Sequence, residues 1–443
     1  MSRTLLSAWH QTLHRNGGKL AVVEASGGRT ATFRELDEGA SKWIAAHAPE
    51  ASACRGRAVV FARPNGIAWL EIFLGLAKIG AIAVPLDAAE PTSVQLKIAR
   101  SLRAAIWNGT TLSGLQEARR YRNPALCFIK LTSGTTGEPR PLRFTAAQLL
   151  ADGVQVTATM GIRKRDLNYA LIPFGHSCGL GNLTMPLLAQ GIPLVCGSAP
   201  LPHAIAEDFA RWRPTVFPGV PAMWRALAAS SISLDSLRLA ISAGASLPPS
   251  VAQEFSTRFG RRLHNFYGSS ETGGIAYDRA GRATLTGGVG RPLRGVTTRI
   301  LSGSRLEIRS AAVFTVGNRR RQRTHGAWVV ADRVSINSKG EFTLLSRRGQ
   351  TVKIAGRRVN LMEVSNRLRQ IQGVGEVWVG ISTSSDPVLG AVVVTTKTAA
   401  ELRTEMHADT AAWKIPKKLH LVAALPLTQR GKIDTRAVQA LIG

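Results

Sequence analysis

Between positions 132 and 140 the chain reads Thr132-Ser133-Gly134-Thr135-Thr136-Gly137-Glu138-Pro139-Arg140, with four hydroxyls and two glycines in its first six residues. Glycine lets a backbone approach an anion closely, and small hydroxyls with main-chain amides can point donors at phosphate oxygens. Arg140 adds a positive charge. The Gly-Lys-Ser/Thr ending of a Walker loop is absent. On pattern alone the segment is either a phosphate cradle or an ordinary surface loop rich in small polar residues.

Such a loop needs rigid elements behind it. Phe128-Ile129-Lys130-Leu131 reads as a strand running into it. Upstream, Ala58–Ala62 is a short continuous apolar run of the kind found in parallel strands buried on both faces. A helical stretch from Trp69 to Ile79 and another apolar run, Ala81–Pro85, follow it. Thr32-Phe33-Arg34-Glu35 matches a capping box before a helix whose apolar positions are Leu36, Ala40, Trp43 and Ile44. The rhythm continues through Ala170–Pro173, the mostly apolar stretch Leu187–Val195, Thr215–Phe217 and Leu239–Ile241. Alternating strands and helices predict an α/β fold built on doubly wound sheets. Beyond about residue 280 the segments shorten, gain Gly and Arg, and alternate polar with apolar residues. They predict a small antiparallel β unit, then a separate α+β C-terminal domain beginning near Ser346.

The 443 residues carry 57 Lys+Arg against 28 Asp+Glu, a formal charge of +29. That field attracts anions of every kind, from nucleic acid to nucleotides and acidic proteins. No nucleic-acid reading module accompanies it, and the densest cluster (Arg319, Arg320, Arg321, Arg323) sits in a polar connector. A 44% hydrophobic content excludes whole-chain disorder. The cysteines Cys54, Cys127, Cys178 and Cys196 form no CxxC pair or zinc-like spacing and fit a reducing cytosol. The most apolar run, Ile67–Leu86, is broken by Glu71 and Lys78, so no membrane span is expected. No signal peptide is expected at the start of the chain either.

The loop resembles the signature of the adenylate-forming superfamily: acyl-CoA synthetases and related AMP-dependent ligases, adenylation domains of peptide synthetases, and luciferases. Further matches follow in that family's order. Asn265-Phe266-Tyr267-Gly268-Ser269-Ser270-Glu271-Thr272 is similar to its tyrosine-glycine-x-threonine-glutamate motif. Trp328 and Asp332 stand where it has a tryptophan and a ribose-binding aspartate. Ser346–Gly356 resembles the hinge and start of its small domain, and Pro426–Asp434 its terminal lysine motif.

The resemblance implies a large N-terminal domain (1–345), a hinge (346–350) containing Gly349, and a small mobile C-terminal domain (351–443). It implies ATP held by Thr132, Ser133, Gly134, Thr135, Thr136 and Gly137, with Tyr267 stacking on adenine, the segment Ser242-Ala243-Gly244-Ala245 as the strip beneath the purine, and Gly268 among the nucleotide-binding residues. Ser270 replaces a family threonine but keeps the hydroxyl. Asp332 would accept the ribose hydroxyls through its two oxygens, with Arg347 near ribose and phosphate. Glu271 would hold Mg²⁺, a hard cation suited to carboxylate oxygen. His176 would lie by the acyl pocket, as a gate, a contact to the adenylate or a satisfied structural histidine. Lys432 would bridge the attacking carboxylate and the α-phosphate as charge develops.

The implied activity joins a small carboxylic acid to a thiol in two steps, through an acyl-adenylate and pyrophosphate. The acceptor would be coenzyme A or the phosphopantetheine of an acyl carrier protein, in the cytoplasm. A nucleotide-binding pseudoenzyme and a basic nucleic-acid-binding protein are the alternatives. Val330-Ala331, where threonine-glycine is usual before the aspartate, and Ser346, where glycine is usual before the arginine, depart from the pattern.

Overall fold

The computed structural model describes residues 4–132, 140–315, 325–347, 351–354, 357–382, 388–408, 410, 412–428 and 433–443. Ser133 to Gly137, the Arg319–Arg323 cluster, Gly349, Gly356 and Lys432 therefore lie outside the described residues, as does the side chain of Arg347.

A six-stranded sheet carries the first half of the site. Its order is Leu112–Ser113, Ala105–Trp107, Ala58–Ala62, Ile82–Leu86, Leu126–Thr132 and Arg140–Thr145, with the middle four parallel and both edges antiparallel. The helix Ile67–Ile79 makes the crossover between two of these strands and is buried nearly all round. It stops at Gly80, whose φ of 71° supplies the left-handed cap. At Gly75 a β-carbon would stand 2.6 Å from the Trp43 ring, so that glycine lets the helix Phe33–Ala46 pack close. The capping box at the start of that second helix forms as its sequence predicts. The Thr32 hydroxyl accepts from the Glu35 amide at 3.2 Å, and the Glu35 carboxylate accepts from the Thr32 amide at 2.7 Å.

A thirteen-stranded sheet carries the second half. One side is parallel, through Leu20–Glu24, Leu194–Cys196, Asn168–Ala170, Val216–Gly219, Leu239–Ala243 and Leu263–Ser269. The apolar stretch Leu187–Val195 does not form one element. Met185–Gln190 is helical, Gly191 (φ 72°) caps it, and the strand starts at Leu194. The antiparallel segments past residue 280 are not a free-standing unit: they extend the same sheet. Gly288–Pro292 pairs with Gly273–Tyr277 on one side and Phe342–Arg347 on the other. Gly290 makes that join possible. Its φ is +78°, and a β-carbon there would fall 2.2 Å from the Tyr277 carbonyl oxygen, an approach only glycine tolerates.

The C-terminal unit has a hairpin (Thr351–Ile354 with Arg357–Asn360), a helix (Leu361–Arg369) and a three-stranded sheet of Val374–Ile381, Leu389–Thr395 and Lys418–Val422. It has a core of its own around Val364, Leu368, Val377, Ala391, Val393 and Leu402. An ion pair joins it to the large unit, Arg225 Nη1 to Glu376 Oε2 at 2.8 Å.

Candidate active site

The strands Leu126–Thr132 and Arg140–Thr145 form a hairpin closed by the pair Thr132–Arg140, where the Thr132 hydroxyl donates to the Arg140 carbonyl oxygen at 3.4 Å. The glycine- and hydroxyl-rich loop connects these two ends. The Arg140 guanidinium stands 5.4 Å over the Trp328 ring, which meets Phe314 edge-on at 4.9 Å. The neighbouring backbone is stitched to the same hairpin. The Phe314 amide donates to the Glu271 carbonyl oxygen (3.0 Å) and the Thr315 amide to the Arg143 carbonyl oxygen (3.2 Å). The Gln148 side-chain amide donates to the Val313 carbonyl oxygen at 2.7 Å. Residues 313–315 thus fix the Glu271 turn against the base of the loop. Sequence reading missed this clamp, because its partners lie far apart in the chain, Gln148 and Val313 by 165 positions, and show no local pattern.

Glu271 and Ser270 sit half-buried in the turn between strands Leu263–Ser269 and Gly273–Tyr277. The Ser269 hydroxyl accepts from the Thr272 amide at 3.3 Å and meets the Thr272 hydroxyl at 3.1 Å, which pins the turn from inside. Gly268 is required for closeness, since a β-carbon would stand 2.7 Å from the Gly273 carbonyl oxygen.

Tyr267 is buried, and its hydroxyl donates to Asp332 Oδ2 at 2.7 Å. Asp332 lies across the strand pair from Arg347, their α-carbons in register. Three residues expected to serve one nucleotide therefore converge from distant parts of the chain. The strand Leu239–Ala243 pairs with the Tyr267 strand up to Ala243–Phe266. Gly244 (φ +83°) and Ala245 then leave the sheet, exposed, at its C-terminal end, where open α/β sheets bind ligands.

His176 lies half-buried at the start of a helical segment whose first turn packs on strand Gly273–Tyr277. Its loop is clamped by Asn65, another residue the sequence did not flag. The Asn65 carbonyl oxygen accepts from the Phe174 amide at 2.8 Å, and its NH₂ donates to the Ile172 carbonyl oxygen at 2.8 Å. A β-carbon at Gly175 would come within 2.7 Å of Pro85, so this loop rests on the end of a strand of the six-stranded sheet.

On either side of Lys432, Leu427 and Ile433 form a β-bridge. Asp434 then caps the last helix, accepting from the Arg436 and Ala437 amides at 3.0 and 3.1 Å.

The donor set suits a nucleotide: hydroxyls at the hairpin base, open backbone at the strand ends, and two carboxylates, Glu271 and Asp332. Among the described residues no group of three or more His, Cys, Asp or Glu could cage a metal. A single carboxylate such as Glu271 suits Mg²⁺, an ion usually bound by one or two carboxylates together with substrate phosphates.

The chain is similar to a feruloyl-CoA synthase from Amycolatopsis sp (25% identical over 96% of each chain) and to the benzoate–CoA ligase of Thauera aromatica (26% identical over 72% of this chain and 66% of the ligase). Its fold matches the anthranilate CoA ligase AuaEII in complex with anthranoyl-AMP, with a TM-score of 0.83 at 20% identity over 100% of this chain and 97% of that one. It also matches ATP-bound MatB from Rhodopseudomonas palustris, with a TM-score of 0.82 at 21% identity over 99% of both chains. The family model described as "AMP-binding enzyme" matches residues 9–106 and 100–311, more than half of the sequence. The chain belongs to the AMP-binding enzyme family, the adenylate-forming enzymes that its motifs resemble.

Proposed function

We propose that this protein is an ATP-dependent acid:thiol ligase. It would join a carboxylic acid to the α-phosphate of ATP, release pyrophosphate, and pass the acyl group to a thiol. The observation that carries the reading is the convergence of Tyr267, Asp332 and the Arg347 backbone beside a Glu271 turn clamped to the phosphate-loop hairpin. In this reading Tyr267, Gly268, Gly244 and Ala245 flank the adenine, and Asp332 and Arg347 hold the ribose. Thr132, Ser133, Gly134, Thr135, Thr136 and Gly137 hold the phosphates, with Ser270 beside them, and Glu271 holds Mg²⁺. That ion, when bound, offsets phosphate charge. Lys432 supplies a cation between the attacking oxygen and the phosphate, where preorganised charge lowers the barrier most.

Relatives that act on feruloyl and benzoyl groups support an aryl acid as substrate, placed along the His176 wall. The acceptor thiol comes from another molecule. Burial pushes the Cys54 thiol up to about 11 and those of Cys127 and Cys196 further still, so none of the three is poised as a thiolate. Coenzyme A and an acidic carrier protein both suit the +29 charge, which would speed encounter. No helix among the described residues is long and apolar enough to cross a membrane, in keeping with work in the cytoplasm.

Acid-dependent exchange of labelled pyrophosphate into ATP tests the reading. Exchange with at least one aryl acid is expected. Silence across a broad panel of acids would sink it and leave the non-catalytic nucleotide-binding alternative. Salt-sensitive retention on DNA or RNA would identify the nucleic-acid alternative.

A further inference from the structure

Just beyond His176 the chain is wound in an uncommon way. The Met185 amide donates to the Leu180 carbonyl oxygen, five residues back rather than four. Leu180–Thr184 is thus a turn of π-helix, set between the short α-helical segment Ser177–Gly179 and the helix Met185–Gln190. Such turns are rare and gather at functional sites. Gly179 to Leu188 are buried, whereas His176, Ser177 and Cys178 are half-buried.

Two asparagines hold this winding, and the proposed chemistry uses neither. Asn182, in the π turn, is 1% exposed, and Asn168, on the strand Asn168–Ala170, is 0% exposed. Four positions beyond Asn182 stands Pro186, which has no amide to offer the Asn182 carbonyl. The Asn168 NH₂ donates to that oxygen instead, at 3.1 Å. The Asn182 NH₂ donates in turn to the Cys178 carbonyl oxygen at 2.9 Å and reaches the Cys178 sulfur at 3.5 Å. Carbonyl oxygens only accept, so the orientation of both amides is fixed. The Oδ1 atom of each asparagine is buried and finds no hydrogen-bond partner among the described residues. An unpartnered buried acceptor costs about 1–3 kcal/mol, and apolar side chains in its place would avoid that cost. The asparagine pair therefore does something other than stabilise a core: it directs two particular carbonyls.

The rest of this segment is fixed from the other side. A β-carbon at Gly153 would stand 2.6 Å from the Met185 β-carbon, and one at Gly181 would stand 2.7 Å from Asp152 Oδ2. The helix Ala146–Met160 thus packs directly against it. With that side held, the π turn decides the rotation of the residues before it. Rewinding it as α removes one residue from the turn, a rotation of about 100°.

We propose that Asn182, anchored by Asn168, is a positioning residue that sets acid specificity. It keeps the turn π-wound, and the winding determines how His176, Ser177 and Cys178 face the acyl group. The inference rests on the ligase reading, which places the acid along the His176 wall.

Asn182→Leu keeps the volume but leaves the Cys178 carbonyl and sulfur without that donor. In pyrophosphate exchange, KM for the preferred acid should rise about tenfold or more, with KM for ATP within about threefold of the parent. Adding Pro186→Ala supplies an amide for the carbonyl at position 182 and lets the turn wind as α. The double variant should regain the parent's melting temperature while its acid KM stays raised, because the wall is stable but rotated. A structural role alone predicts the reverse, an acid KM that recovers together with the melting point. That recovery, or an acid KM that does not move in Asn182→Leu, would overturn the proposal. If Asn182→Leu is too unstable to assay, the double variant decides by the same comparison with the parent. A parent protein that exchanges with no acid would instead overturn the ligase reading.

Discussion

Two places where charged groups are taken out of water in this molecule follow different rules. Lys130 and Asp152 lie inside the large unit, each about 5% exposed or less, joined to the packed strands and helix around them. At the seam between the units, Arg225 meets Glu376 at 2.8 Å with side chains 28% and 17% exposed. Arg369 stands close by and donates to the Val377 carbonyl oxygen at 2.9 Å. The Arg225 Nη2 and Arg369 Nε atoms find no hydrogen-bond partner among the described residues although they are buried. Burial pulls the Arg369 guanidinium below its ordinary range, Arg225 adds to the effect, and Glu376 opposes it. Charged groups buried inside one body are held by the packing around them, Lys130 over the Phe144 ring and Asp152 on the Gly274 amide. A partly wetted pair between two bodies can hand its charges to water, so this contact can open at little cost. The first arrangement suits a rigid body, and the second suits the mobile small domain that the family resemblance implies, swinging between an adenylating pose and a thiol-accepting one.

The largest effect should come from Asp152→Leu, which leaves the buried Gly274 amide without its acceptor and should cost about 1–3 kcal/mol in urea unfolding. A loss below about 1 kcal/mol would show that water reaches the Gly274 amide and would erase the contrast with the seam. Next is Lys432→Ala, which removes the cation the small unit is expected to deliver. Adenylate formation should fall at least about 100-fold, while thiol transfer from supplied acyl-adenylate survives. Equal loss of both half-reactions would refute the two-pose picture.

The buried carboxylate of Asp166 sharpens the comparison by pH. Burial pushes Asp166 upward, but bonds from the Arg238 side chain, the Arg163 amide and the Thr215 hydroxyl outweigh it, and its carboxyl titrates below the ordinary aspartate range. A depressed carboxyl stabilises fully above its unfolded value, near about 4, and loses that contribution as pH falls through the folded value. Asp166→Asn should therefore flatten the acid limb of the stability curve below about pH 4 and leave the curve's shape at neutral pH unchanged. Smallest should be Glu376→Gln. It should change unfolding free energy by less than about 1 kcal/mol while shifting the ratio of the two half-reaction rates. An unmoved ratio would show that the seam contact does not govern the pose.

Much of the site was legible before any fold was known, because its residues come in short runs. The Tyr267–Glu271 motif is specified by adjacent residues, and so are the helix cap at Thr32 and the strand that runs into the loop at Thr132. Asn65, Gln148 and Asp152 were not legible. Each acts through a backbone group between 100 and 170 positions away, and nothing around them marks an asparagine, a glutamine or an aspartate as a clamp. The β strands past residue 280 are antiparallel as their pattern predicts, but that they continue the larger sheet was not legible for a similar reason. Their short alternating pattern is the same whether they stand apart or extend a larger sheet, and the choice is made by one close approach, at Gly290.

By itself the sequence determined which chemistry was available: small hydroxyls and glycines for phosphate, carboxylates for ribose and metal, and a lysine near the end of the chain. Those are properties of residue types in local order. Only the tertiary structure decided that Tyr267 would bond Asp332, that Arg347 would lie across from it, and that Lys130 and Asp152 would both be buried. Such meetings depend on sheet register and on which backbones can approach closely, and both are settled by packing across the whole domain.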